Sequence, residues 1–283
     1  MKFLLAFFFF TLNSQAQDLF GLEHSSFHTV RRTLIHQIED PDLDLEWELG
    51  VLTSEDQIDS ALISFTDASG AFWTLQIFQN ALLPTGPTFF VPHDNENDAF
   101  LTGLSAIKTY GGHLISLDCA EQRICAGGID PNRHFLPNYP LFSETIMAFY
   151  FAKDYPVITL HNNHDSHWSL GGSGAIYADL KTPYRGGEGY YHAGDPDDLI
   201  IYSDTIPSSE SPLFEHFSMF FEKLDINSIF EYVMPGGELG GHMSTYVVLN
   251  TDYEYFNIEA QHGHLEEQID LTEVLLEVLA REL

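Results

Sequence analysis

Basic residues are scarce in this 283-residue chain: lysine and arginine total 11 against 42 acidic residues, a formal net charge of −31. A surface of that sign repels phosphate backbones and anionic headgroups, which excludes nucleic acid and acidic membranes as partners. The acidic excess itself reads as a solubility or salt adaptation. Cysteine is nearly absent, and two residues, Cys119 and Cys125 in LDCAEQRICAGG, are too few for a thiolate metal site. After the first dozen positions no apolar run is long enough to span a membrane. A phosphate-cradling glycine loop is also missing, because GGSGA after Leu170 opens no helical pattern, and no GxSxG elbow marks a serine nucleophile.

The apolar run that does exist is short and terminal. MKFLLAFFFFTLNSQAQ has Lys2, then Phe3 to Leu12, then small residues at Ser14 and Ala16. That is the layout of a secretory signal peptide over residues 1–16, cleaved before Gln17, and it implies a secreted or periplasmic protein. In that oxidising setting Cys119 and Cys125 are expected to form one intramolecular disulfide.

Residues 17–87 carry strand-like segments such as LEWELGVLT and ALISFTDASGAFWTLQIF, with DASG as a hairpin turn. From residue 88 to 283 the pattern changes. Short apolar strands (TFFVP, HLISLD, PVITLH, YVVLN, YFNIEA) alternate with helical stretches (NDAFLTGLSAIKTYGG, SETIMAFYFAKDY, PLFEHFSMFFEKLD) and a closing amphipathic helix built on Ile269, Leu275, Leu276 and Leu279. The alternation predicts an α/β fold: a mixed, mostly parallel central sheet flanked by helices, with extra N-terminal strands. No internal repeat is present. The Gly-, Tyr- and Asp-rich stretch 171–198 reads as a long loop.

Three of these strands end on groups able to bind a metal. TFFVP runs into His93 and Glu96, PVITL into His161, and YFNI into Glu259. Ligands of open α/β sheets bind beyond the carboxyl ends of the strands, so each residue stands where a site is expected. Two imidazoles and one carboxylate would give Zn²⁺ three protein ligands and leave a fourth position open. Spacing of three lets His93 and Glu96 face the same way in a helical turn. A bare HxxE also occurs in solvated loops.

Further short segments extend the pattern. The order HDNE, DPNRHF, TLHNN and NIEAQ resembles the zinc carboxypeptidase superfamily, and within it the succinylglutamate desuccinylase/aspartoacylase branch, over about residues 88–262. The resemblance implies one zinc ion held by His93, Glu96 and His161, with Glu259 as general base. It further implies that Asn132 and Arg133 bind a substrate carboxylate, and that Arg123 polarises the scissile carbonyl. The implied substrate is a short peptide or N-acyl amino acid with a free carboxylate, cut at the neighbouring amide bond. The sequence departs from that branch in Asp94, where the motif has glycine, and in having no counterpart of the β-rich C-terminal cap. Those departures motivate an alternative, a non-catalytic metal- or carboxylate-binding protein on the same scaffold.

Other polar clusters carry a functional and a bland reading side by side. Arg185 in TPYRGG is a candidate second cation for the substrate carboxylate. His164 and His167 are extra ligands or ordinary loop residues, and Asp165 a partner for a ligating imidazole. His262 and His264 line a pocket or open a helix. Tyr190, Tyr191 and His192 would close over substrate, while Asp195, Asp197 and Asp198 form a hard-cation site or a solvated acidic turn.

Overall fold

The computed structural model describes residues 29–33, 58–120, 122–125, 127–150, 155–163, 176, 178, 187–236 and 240–280. The proposed signal segment, Arg185, His164, Asp165 and His167 lie outside the described residues. The described strands are β1 (Thr29–Thr33), β2 (Ile58–Thr66), β3 (Phe72–Asn80), β4 (Thr88–Val91), β5 (His113–Leu117), β6 (Val157–Asn163), β7 (Glu188–Tyr190), β8 (Leu199–Asp204), β9 (Ser228–Tyr232) and β10 (Tyr255–Gln261). They form one sheet in the order β1-β2-β3-β5-β4-β6-β10-β8-β9-β7. Its centre, β5-β4-β6-β10, is parallel, as is β8-β9; antiparallel pairings lie on either side. The mixed α/β expectation holds. The N-terminal strands are part of the same sheet, since β3 pairs with β5 along five residues.

In the central strands alternation sends side chains to two buried faces. Phe89 and Val91 of β4 join a cluster with Phe100 and Leu104 of α1 (Asn97–Tyr110), Phe217 and Phe221 of α3 (Pro212–Lys223), and Leu275 and Leu279 of α5 (Leu265–Ala280). Phe90 points the other way. It packs with Trp73, Ile115 and Val157 against Phe142 and Ile146 of α2 (Pro140–Met147) and Met243 and Val247 of α4 (Met243–Asn250). Removing a fully buried ring such as Phe89 costs about 3–5 kcal/mol once the cavity is counted. The sheet is thus the middle of three layers.

Two local readings of the sequence differ from the structure. YVVLN, strand-like by its β-branched residues, is helical in α4, where burial of Met243 and Val247 outweighs intrinsic preference. The segment 171–198 was expected to be loop, yet it holds β7 and ends at β8.

The chain order places a crevice. From β4 the chain crosses through α1 to β5 on one side, and the next crossover returns to β6 on the other side of β4. Strand order therefore reverses at β4. The carboxyl ends of strands at such a reversal point are where ligands of open α/β sheets bind.

Candidate metal centre

His93 and Glu96 lie between β4 and α1, and His161 near the end of β6, so all three stand at that reversal point. Each is at most 3% exposed. Glu96 divides its oxygens between the two imidazoles: Oε1 is 2.7 Å from His93 Nδ1, and Oε2 is 3.0 Å from His161 Nδ1. The two Nδ1 atoms are themselves 3.2 Å apart. One potential ligand atom from each residue lies within 4.8 Å of the others.

This donor set fits one divalent cation. Ligands about 2.0–2.2 Å from a tetrahedral zinc ion stand roughly 3.4 Å from one another, close to the spacing of these three groups. Two imidazole nitrogens facing each other at 3.2 Å share a single carboxylate, and a cation among them satisfies all three as acceptors. Charge favours the same state. Burial works against ionising Glu96, yet the two histidines beside it hold its carboxyl far below the usual carboxylate range.

A second layer of residues orients the first. Asp130 Oδ1 is 3.0 Å from His93 Nε2, the ring nitrogen turned away from Glu96. The same Asp130 oxygen accepts Asn132 N–H at 2.9 Å and so starts the short 3-10 turn Pro131–Arg133. One carboxylate therefore fixes both an imidazole and the turn carrying Asn132 and Arg133. The side-chain amide of Asn132 in turn faces His161 Nε2 at 3.4 Å.

On the opposite face of β6, Asn162 does a different job. Glu96 is the N-cap residue of α1, but its side chain makes no cap bond because it is engaged with the histidines. Asn162 Oδ1 accepts Ala99 N–H at 2.9 Å in its place. Gln268 of α5 accepts from Asn162 Nδ2 at 3.0 Å and donates to the His161 carbonyl at 2.8 Å. Two helices and a ligand strand thus meet on buried amide bonds.

Glu259 lies directly across from His161 in the parallel β6–β10 register. Tyr255, Asn257 and Glu259 share one face of β10, and Asn257 donates to Glu259 Oε1 at 2.8 Å. Burial, together with the nearby Glu96 charge, raises the Glu259 pKa even though His161, Asn257 and Arg123 pull it down. Arg123 Nη1 donates to Glu96 Oε1 at 2.8 Å. Asp94, the unusual residue of HDNE, is not among the three clustered groups; its Oδ2 accepts Cys119 N–H at 2.6 Å. The Cys119–Cys125 disulfide is present.

Arg133 is exposed and its guanidinium contacts the His242 ring at the start of α4. Gly241 makes this approach possible: φ is +73°, and an added Cβ would fall 1.9 Å from the Arg133 carbonyl oxygen. Behind the turn, His134 Nε2 bonds Asp67 Oδ2 at 2.6 Å, which ties the segment to the β2–β3 hairpin.

His264 and Asp198 tie β10 to the start of α5. His264 Nδ1 bonds Asp198 Oδ2 at 2.9 Å, and Asp198 Oδ1 accepts Gln261 N–H at 2.8 Å. Asn227 Nδ2 gathers the backbone carbonyls of Ala193, Asp195 and Asp198 at 2.7–3.1 Å. Asp130, Asn162 and Gln268 went unread in the sequence. The one available signal was Asp130 itself, an N-cap residue two before Asn132 in DPNR.

No protein-family profile and no curated protein matches this sequence. Among solved structures, a candidate metallopeptidase from Shewanella amazonensis is similar, with 12% identity over 90% of this chain and 98% of that one and a TM-score of 0.46. A second candidate metallopeptidase, from Shewanella denitrificans, shares 12% identity over 91% and 97%, with a TM-score of 0.43. A metallo-carboxypeptidase from Burkholderia cenocepacia shares 10% identity over 82% of this chain and 66% of that one, with a TM-score of 0.42. Among the described residues no helix is long and apolar enough to cross a membrane.

Proposed function

We propose that the chain is an exported zinc hydrolase that cleaves the amide bond next to a free carboxylate in a short peptide or N-acyl amino acid. The observation that carries this reading is the convergence of buried His93, Glu96 and His161, with Glu259 in register beside His161. Bound zinc supplies Lewis acidity, which makes water nucleophilic near neutral pH. Glu259 takes the proton from the attacking water and passes it to the departing amine. Burial raises its pKa, which makes it a stronger proton acceptor than an ordinary carboxylate. Asn132 and Arg133 hold the substrate carboxylate, the guanidinium through paired hydrogen bonds. Arg123 donates to the carbonyl oxygen as negative charge grows on it. The mixed sheet supports this reading, since His93, Glu96, His161 and Glu259 stand at or just past the carboxyl-terminal parts of β4, β6 and β10.

The test is metal content followed by turnover. Purified protein is expected to hold one zinc ion, removable by chelator, and His93→Ala or His161→Ala to abolish uptake. Glu259→Gln is expected to keep the metal and lose amidase activity by about 100-fold or more. Protein that takes up no stoichiometric zinc at neutral pH ends the proposal.

A further inference from the structure

The loop between β5 and the 3-10 turn is fastened at three points, and one of its side chains enters the metal centre. Cys119 follows closely on β5, and its N–H is held by Asp94 Oδ2 at 2.6 Å. Cys125 is bonded to Ile129 in an antiparallel bridge, N to O at 2.9 Å in both directions, directly before Asp130. The disulfide joins these two ends across 4.9 Å between Cα atoms. Arg123 lies inside the ring and reaches Glu96 Oε1 at 2.8 Å. Asp94 and Glu96, two residues apart on the β4–α1 connection, therefore grip the same loop at two places.

A ring this small constrains the unfolded chain less than a longer one would, since the entropy gained by a crosslink grows with the length of loop it closes. Its effect is local. Arg123 is 48% exposed, and an ion pair at such exposure does not by itself hold a long side chain in one rotamer. The closed loop supplies what the ion pair lacks. The guanidinium has five N–H donors, of which the Glu96 bond uses one, so others remain for a substrate oxygen.

We propose that Asp94 and the Cys119–Cys125 disulfide are positioning residues for Arg123, holding its guanidinium beside Glu96 and toward the substrate carbonyl. This rests on the reading of the site as an amide hydrolase. It also gives Asp94 a function that is neither metal ligation nor surface charge.

The experiment uses the intact, oxidised protein and two readouts. In nitrogen-15 spectra the Arg123 Nε–H signal, assigned by its loss in Arg123→Lys, is expected to be distinct and slowly exchanging. Asp94→Ala and the paired Cys119→Ser/Cys125→Ser variant collapse it to the solvent-averaged position. Asp94→Asn, whose amide oxygen still accepts the Cys119 N–H, retains it. In kinetics, Asp94→Ala lowers kcat by about 100-fold with KM and zinc content unchanged, as a misplaced catalytic group does. In an Arg123→Ala background the same change adds nothing. An Arg123 signal unmoved by Asp94→Ala and by disulfide removal overturns the proposal, as do losses that multiply in the double variant. Wild-type protein without zinc or amidase activity defeats the hydrolase reading instead, and the spectra still decide the positioning.

Discussion

Asp67 and His134 meet at 2.6 Å in the interior, the carboxylate arriving from the β2–β3 turn and the imidazole from the residue after Arg133. Asp67 also accepts from Trp73 Nε1 at 2.7 Å and from Ser69 N–H at 2.8 Å. His134 stacks on Tyr139 with ring centroids 4.5 Å apart. The N-terminal hairpin thereby acts as a clamp behind the turn that carries Asn132 and Arg133. His134→Ala leaves a buried carboxylate short of a donor and is expected to destabilise the protein by about 2–4 kcal/mol. In the folded variant KM for a carboxylate-bearing substrate rises while zinc content holds. A melting curve, a metal assay and a KM determination on one preparation check all three; unchanged KM would confine the clamp to stability.

Asp130 is bound to His93 on one side and to the Asn132 turn on the other. Asp130→Ala frees the imidazole to rotate and removes the partner of its outer nitrogen. Zinc affinity is expected to fall by about 10- to 100-fold, the usual cost of losing such a partner. Competition with a chromogenic chelator measures it. Asp130→Asn, which keeps an acceptor without the charge, should fall between the two.

The residues legible in the sequence share one property: local context exposes them. His93, His161 and Glu259 each follow a short apolar run, so residue type after such a run marks them, and Cys119 and Cys125 had only each other to pair with. Asp130, Asn162 and Gln268 act through partners such as His93, Ala99 and His161, distant in the chain, and no local pattern announces those contacts. The same holds for Arg123, whose closeness to Glu96 depends on a loop conformation. YVVLN misled because β-branched residues favour strands only where strand neighbours exist, and here the segment covers the sheet as α4.

Asn162 and Gln268 carry a stability prediction. Asn162→Ala removes the acceptor of Ala99 N–H in the first turn of α1 and leaves Gln268 Oε1 only the 3.5 Å contact with Thr102 Oγ1. Leaving these buried groups unsatisfied should cost about 1–3 kcal/mol. The denaturant midpoint reads the loss. Glu96 cannot take over the cap while it is held by the histidines, so zinc binding should not restore the lost stability in full. Complete recovery on adding zinc would show that the cap bond is dispensable.

His113, at the start of β5, is 4% exposed, and its Nε2 lies 2.9 Å from the Gln79 side-chain amide. Burial pushes its pKa down from 6.5 to about 4. Above pH 6.5 the ring is neutral in folded and unfolded chains alike, and it contributes no pH dependence. As pH falls from 6.5 toward 4 the unfolded chain binds a proton that the folded protein refuses, so stability declines with acidification through that window. Below about pH 4 both states are protonated and the decline from this group stops. The full effect is on the order of 3 kcal/mol. Asp67 behaves differently: despite its burial, bonds from Ser69, Trp73 and His134 hold its pKa below 3.8, so its contribution is lost only at still lower pH. Denaturant unfolding of wild type and His113→Gln from pH 7 to 4 separates the two. The wild type should lose stability faster between pH 6.5 and 4, and parallel curves would show that His113 is not buried in its neutral form.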